Sequence, residues 1–154
     1  MKNFYLLIFF ILVVLVDQIS KIFIQNYMLN NFSEIEIFPF LKLTLVYNSG
    51  IAFGMLNELG KLMPTIFAFI AILIALLILI WSIYNKKYYI VMGLIAGGAV
   101  GNALDRFRNQ GVVDFIDIYW KNYHWLTFNI ADISISLGVF FFIYAEFFNR
   151  KEIK

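Results

Sequence analysis

Two aspartates, Asp114 in "GVVDFID" (111–117) and Asp132 in "FNIADISIS" (128–136), stand where carboxylates are expensive, beside long apolar runs. A carboxylate near the centre of a membrane helix costs about 2.5–3.5 kcal/mol on insertion scales, so it calls for a partner or access to water. Two carboxylates brought close together do not both ionise readily. They share a proton, leaving one to act as base on a water and the other to donate to a carbonyl, which is aspartic-protease chemistry. The alternative is that each caps or solvates a helix start, where acids are favoured. Asp105 and Asp117 compete with these two for membership of any pair.

Other polar residues carry weaker chemistry. Asp17 and Lys21 lie four apart in an apolar run, so they share a helix face and can form a structural ion pair; positioning a substrate is the other reading. Asn102 and Arg106 are also four apart, followed by Arg108; such an arginine either snorkels to the interface or clamps a peptide carbonyl or carboxylate. Asn129, Asp132 and Ser136 form one polar face expected to point into a helix bundle. A Ser49/His124 pair and a Ser20/Lys21 pair are conceivable nucleophilic alternatives, but no local stretch supplies a nucleophile elbow.

The elements that must position these groups are membrane helices. Of 154 residues 62% are hydrophobic and 14% charged, and mean hydropathy is +0.82, far from a soluble domain. There is no cysteine, which excludes disulfides, thiolate metal sites and a cysteine nucleophile, and the single His124 excludes a two-histidine zinc motif. A net charge of +2 with scattered basic residues does not suit nucleic acid. Four stretches, 4–24, 64–84, 88–104 and 128–148, approach or meet the roughly 20 apolar residues a span requires. The third is short and can borrow flanking residues. The first is read as a retained anchor, since Val16-Asp17-Gln18 offers no small-residue cleavage site. Gly93, Gly97 and Gly101 at spacing four, with Gly98 beside them, give the third span a bare face for close helix packing. The expected fold is thus an all-α polytopic membrane protein, a single domain over 1–154, with two outer segments at 25–63 and 105–127.

Four spans put both ends of the chain on one side. Lys2, Lys86, Lys87, Arg150, Lys151 and Lys154 crowd into three short segments, while Lys21, Lys42, Lys61, Arg106, Arg108 and Lys121 are diluted over two longer ones, so density favours both termini inside. Both aspartates of interest then lie near the same outer boundary. Leu41, Leu43, Leu45 and Tyr47 alternate with Lys42, Thr44, Val46 and Asn48, and "VVDFIDIYW" is rich in β-branched and aromatic residues after Gly111. Both predict strands of a small sheet on the outer membrane surface. Trp120, Tyr123 and Trp125 suit an interfacial belt.

The blocks "DQISK" (17–21), "YNSGIAFG" (47–54), "AGGAVGNALDR" (96–106), "GVVDFID" (111–117) and "FNIAD" (128–132) follow in order, and over nearly its whole length the chain resembles the bacterial lipoprotein signal peptidases, or signal peptidase II. The resemblance implies an aspartic endopeptidase that cleaves a prolipoprotein just before a cysteine bearing diacylglycerol. It also implies four membrane helices with a small extracytoplasmic β-cradle, residence in the bacterial cytoplasmic membrane, no metal or cofactor, and inhibition by the cyclic peptide globomycin. The catalytic positions fall on Asp114 and Asp132, and the supporting ones on Asp17, Lys21, Asn48, Gly50, Asn102, Arg106 and Asn129. Partners so implied are the lipidated prolipoprotein and membrane lipid. Two competing classes remain: a proton or ion transporter using Asp17, Lys21 and Asp132, and a noncatalytic membrane assembly subunit.

Overall fold

A computed structural model describes residues 2–31, 34–50, 62–85 and 88–149. Four helices, α1 (Lys2–Asn31), α2 (Met63–Asn85), α3 (Tyr89–Asn109) and α4 (Ile130–Asn149), are each long and apolar enough to cross a membrane. Between them lie β1 (Ile35–Phe38), β2 (Leu41–Asn48), β3 (Val112–Trp120) and β4 (Tyr123–His124), forming an antiparallel sheet in the order β1-β2-β3-β4. The alternation in 41–48 and the branched run in 112–120 coincide with β2 and β3. The edge strands β1 and β4 were not anticipated. Lys61, Lys86, Lys87 and the 150–154 tail lie outside the described residues, as does Lys2's side chain, so the charge argument for orientation draws on sequence alone.

The third span does borrow residues: α3 continues five positions beyond 104, through Asp105 and Arg106, before Gln110 (φ 56) ends it ahead of Gly111. It is the most buried of the four helices and packs against α1, α2 and α4, because glycines on it let neighbouring backbones approach. At Gly98 an added Cβ would lie 2.5 Å from the Ala131 carbonyl of α4, and at Gly101 one would lie 2.6 Å from Asp17 Oδ2 of α1. Side chains such as Leu15, Phe69, Leu73, Phe140 and Ile143 are exposed on the outer faces of α1, α2 and α4, as contact with lipid requires.

The sheet caps one end of this bundle. Ile24 and Met28 in the last turns of α1 meet Phe115 of β3 in a small core, flanked by Leu43, Leu45 and Ile130. A backbone bridge then ties the sheet to α4: Phe128 N–H donates to the Ile116 carbonyl (3.1 Å) and Ile116 N–H donates to the Phe128 carbonyl (2.9 Å). That bridge holds the residue before Asn129 against the strand two places after Asp114. Apolar packing and main-chain bonds thereby bring the two sequence blocks together.

Candidate active site

Strand pairing delivers the first carboxylate. Val46 of β2 pairs with Asp114 of β3, so Asn48, two residues along, shares Asp114's face as its diagonal neighbour. Asn48 Nδ2 donates to Asp114 Oδ2 at 2.9 Å, while Asn48 Oδ1 accepts the Gly50 N–H at 2.9 Å, which fixes the amide's orientation. Gly50 holds φ +77, a conformation that L side chains rarely adopt. Asp117, three residues on, takes the opposite side of the alternating strand. There it meets His124 Nδ1 (2.8 Å) and Lys42 (3.7 Å), and the His124 ring stacks on Tyr119.

The helix start delivers the second. Helix α4 begins at Ile130, two residues later than the expected span, which makes Asn129 its N-cap and Asp132 its third residue. Asn129 Oδ1 accepts the Asp132 N–H (2.9 Å) and Asp132 Oδ2 accepts the Asn129 N–H (3.3 Å), a reciprocal capping box. The helix-start reading of Asp132 is therefore realised for one of its oxygens. Its other oxygen, Oδ1, accepts from Asn102 Nδ2 at 2.8 Å.

One side chain links the two acids. Asn129 Nδ2 donates to Asp114 Oδ1 at 2.7 Å and to Asn102 Oδ1 at 3.2 Å, while the same residue caps Asp132's helix. Asp114 and Asp132 face a common cleft of about 410 Å³ whose walls include Asn48, Ser49, Leu126 and Thr127. Asp114 is 2% exposed, and burial, reinforced by the nearby Asp132 charge, pushes its pKa up despite the two asparagine donors. A second, apolar groove on α4 shares Leu126, Thr127 and Asp132 with the cleft and continues along Ile133, Ser136 and Leu137. Ser136 is exposed there rather than turned into the bundle; the buried serine of this helix is Ser134.

The competitors occupy other places. Asp17 and Asp105 both pair with Lys21 at 2.8 Å, and all three are fully buried. The expected Asp17/Lys21 pair is thus part of a triad, and Asp105 belongs to it rather than to the cleft. Gln18, which sequence reasoning passed over, joins the triad through Asp105 Oδ1 (3.0 Å) and Asp17 Oδ2 (3.2 Å); its position beside Asp17 was the available signal. Arg106 donates to the Asn102 carbonyl at 3.3 Å, and its Nε is buried without a hydrogen-bond partner among the described residues. Ser49 lines the cleft, but His124 does not and is engaged with Asp117. Ser20 Oγ donates to the Asp17 carbonyl, and Lys21's ammonium is occupied by three acceptors, so neither nucleophile pair is assembled.

A family model described as signal peptidase (SPase) II matches residues 9–148. The chain is 40% identical to a lipoprotein signal peptidase of Coxiella burnetii (strain RSA 493 / Nine Mile phase I) over 139 residues, covering 88% of this chain and 85% of that one. It is 40% identical to that of Pelagibacter ubique (strain HTCC1062) over an alignment 158 positions long, covering 99% of this chain and 94% of that one. Two solved bacterial membrane enzyme structures, both obtained by the in meso method, superpose with TM-scores of 0.73. They share 29% and 32% identity with this chain, covering 97% and 91% of it, and 91% and 90% of their own lengths.

Proposed function

This chain belongs to the signal peptidase II family, and on that premise we propose that it cuts its substrate as an aspartic endopeptidase with Asp114 and Asp132 as the catalytic pair. It is a multi-pass membrane protease that removes the signal peptide from prolipoproteins. The observation that carries the catalytic assignment is Asn129, whose one side chain touches Asp114 and caps the helix turn that presents Asp132.

In this mechanism a water sits between the carboxylates. Asp114 carries the shared proton, in keeping with its raised pKa, and Asp132 takes a proton from the water as its oxygen attacks the scissile carbonyl. Asp114 donates to the developing oxyanion. When the tetrahedral adduct collapses, its hydroxyl returns a proton to Asp114, the proton on Asp132 passes to the leaving amine, and the C–N bond breaks. Each carboxylate ends as it began.

The substrate joins a membrane-embedded signal helix to a cysteine bearing diacylglycerol, and the cut falls just before that cysteine. A cleft at the end of the bundle, where helices give way to sheet, matches the depth of such a bond, with the bilayer confining the substrate to two dimensions. Arg106, whose Nε has no hydrogen-bond partner among the described residues, is assigned to the substrate backbone, and globomycin to competition for the same cleft. The protein sits in the bacterial cytoplasmic membrane with both termini inside and the cleft outside. A transporter using Asp17, Lys21 and Asp132 finds no support in the family, and the first two of those residues are locked in a buried ion cluster.

The test is prolipoprotein processing in membrane vesicles by Asp114→Asn and Asp132→Asn, with Ser49→Ala and His124→Gln as controls. Each aspartate variant is expected to lose at least about a thousandfold in rate, since members of a catalytic pair act as a unit. Near-normal processing by either folded aspartate variant refutes the assignment.

A further inference from the structure

The buried Lys21 cluster is larger than a membrane ion pair needs to be, and its bonds run to the starts of β3 and α4, the two elements that carry the aspartates. Lys21 Nζ has three protons and meets three acceptors: Asp17 Oδ2 (2.8 Å), Asp105 Oδ2 (2.8 Å) and Asn102 Oδ1 (2.9 Å). Besides Lys21 and the Gln18 amide, each of the two acids bonds a backbone N–H. Asp17 Oδ1 accepts the Ala131 N–H at 2.9 Å, the residue immediately before Asp132. Asp105 Oδ2 accepts the Val113 N–H at 3.1 Å, the residue immediately before Asp114. One ammonium thus stands between two carboxylates that each hold the main chain one step ahead of a member of the pair.

The third contact of the ammonium is chemical rather than merely geometric. An amide side chain offers an oxygen that accepts and a nitrogen that donates, and an ammonium can only donate. Facing Lys21, Asn102 must present Oδ1, which leaves Nδ2 toward Asp132 Oδ1 at 2.8 Å. With the amide reversed, its oxygen would confront the carboxylate, and two donors, Lys21 and Asn129 Nδ2, would confront its nitrogen.

We propose that Lys21 is a positioning residue for the peptidase reaction: it fixes the Asn102 amide on Asp132 and, through Asp17 and Asp105, sets the separation of the two catalytic carboxylates. Lys21 is 1% exposed and lies on the far side of the Asn102 amide from Asp132, so it acts without touching substrate. Gln18 completes the device, since Nε2 bonds both Asp105 and Asp17 and the Gly101 carbonyl, keeping the acids together. The inference rests on the assignment of Asp114 and Asp132 as the catalytic pair.

The experiment uses the full chain in lipid nanodiscs with a diacylglyceryl prolipoprotein substrate, measuring kcat and KM across pH for Lys21→Met, Asn102→Leu and the double variant. Outer residues that orient a reacting group are commonly worth about 10–100-fold in activity, so each single variant should lose that much kcat with KM held within about twofold. The double variant should lose less than the product of the two single losses, because both break the Lys21–Asn102–Asp132 link while only Lys21→Met also frees Asp17 and Asp105. Losses that multiply in the double, or a single variant with wild-type kcat, overturn the proposal. Where Lys21→Met does not fold, Lys21→Arg retains the charge but not the three-acceptor geometry and should show the same kcat loss. Asn102→Asp gives a reading without touching Lys21: it still accepts from the ammonium but sets an oxygen against Asp132. It should move the kcat profile along the pH axis, and an unmoved profile counts against the proposal. Should Asp114→Asn and Asp132→Asn remain active, the catalytic assignment itself fails. If they are inactive while Lys21→Met is fully active, only the role given to Lys21 fails.

Discussion

Replacing Asn129 by aspartate separates its two tasks. Aspartate caps helices as well as asparagine does, so the bond from the Asp132 N–H to the residue 129 side-chain oxygen survives and α4 keeps its start. What is lost is the NH2 group that donates to Asp114 Oδ1 at 2.7 Å and to Asn102 Oδ1 at 3.2 Å. In its place stands a third carboxylate against two others. Two unit charges about 4 Å apart in a partly buried site repel by about 4 kcal/mol at an effective dielectric of about 20. The site therefore keeps an extra proton instead of bearing a third charge, and on the proposed mechanism Asp132 and Asp114 no longer divide the roles of base and acid. The expected result is a loss of at least about a hundredfold in kcat at neutral pH, with melting in detergent lowered by only a few degrees. Asn129→Ala, by contrast, should lose both activity and about 2–4 kcal/mol of stability, because the cap goes as well and a buried carboxylate oxygen loses its donor. An Asn129→Asp enzyme with wild-type rate and pH dependence would refute the claim that this amide organises the pair.

Two further outcomes follow from local geometry. Gly101→Ala places a Cβ 2.6 Å from Asp17 Oδ2, so Asp17 must retreat by about 0.8 Å to reach ordinary contact; overpacking of this kind costs about 1–3 kcal/mol. The bond from Asp17 to the Ala131 N–H is strained in turn, so thermal unfolding should come earlier and kcat should fall; a variant unchanged in both contradicts the close approach of α1 and α3. On the sheet, Lys42 lies 2.6 Å from Glu34 and holds its carboxyl below the usual range. A lowered folded-state pKa gives stabilisation that is present above the unfolded value and lost as pH falls through the folded one, so Glu34→Gln should cost under about 1 kcal/mol at pH 7 and nothing in strong acid. Melting temperatures of the two proteins at several pH values check this, and a difference that widens in acid contradicts it.

Much of this architecture was legible in the chain because it depends on local periodicity. Apolar length locates the four spans, although α1 runs seven residues past 24 and α3 five past 104, where the apolar pattern has given way to polar residues, and alternation and branching locate β2 and β3. The site was legible only as a coincidence of depth. Depth alone could not tell Asp114 from Asp117, which required strand alternation, nor remove Asp105, which required α3 to run past its apolar stretch into the sheet. The edge strands escaped because β4 has only two residues and β1 takes its register from β2. The links among Lys21, Asn102 and Asp132 run between separate helices, 81 and 30 residues apart in sequence, and no local pattern encodes them.

In the proposed mechanism one proton is shared between Asp114 and Asp132. The most direct test of that sharing is the pH dependence of kcat/KM for the wild-type chain on a lipidated prolipoprotein. Activity should rise as the base ionises and fall again as pH climbs through the raised Asp114 value, where burial and the neighbouring carboxylate have held the proton. The falling limb is the decisive part. A profile that climbs to a plateau and never falls on the alkaline side, or whose only inflection disappears in His124→Gln, would contradict the shared-proton account.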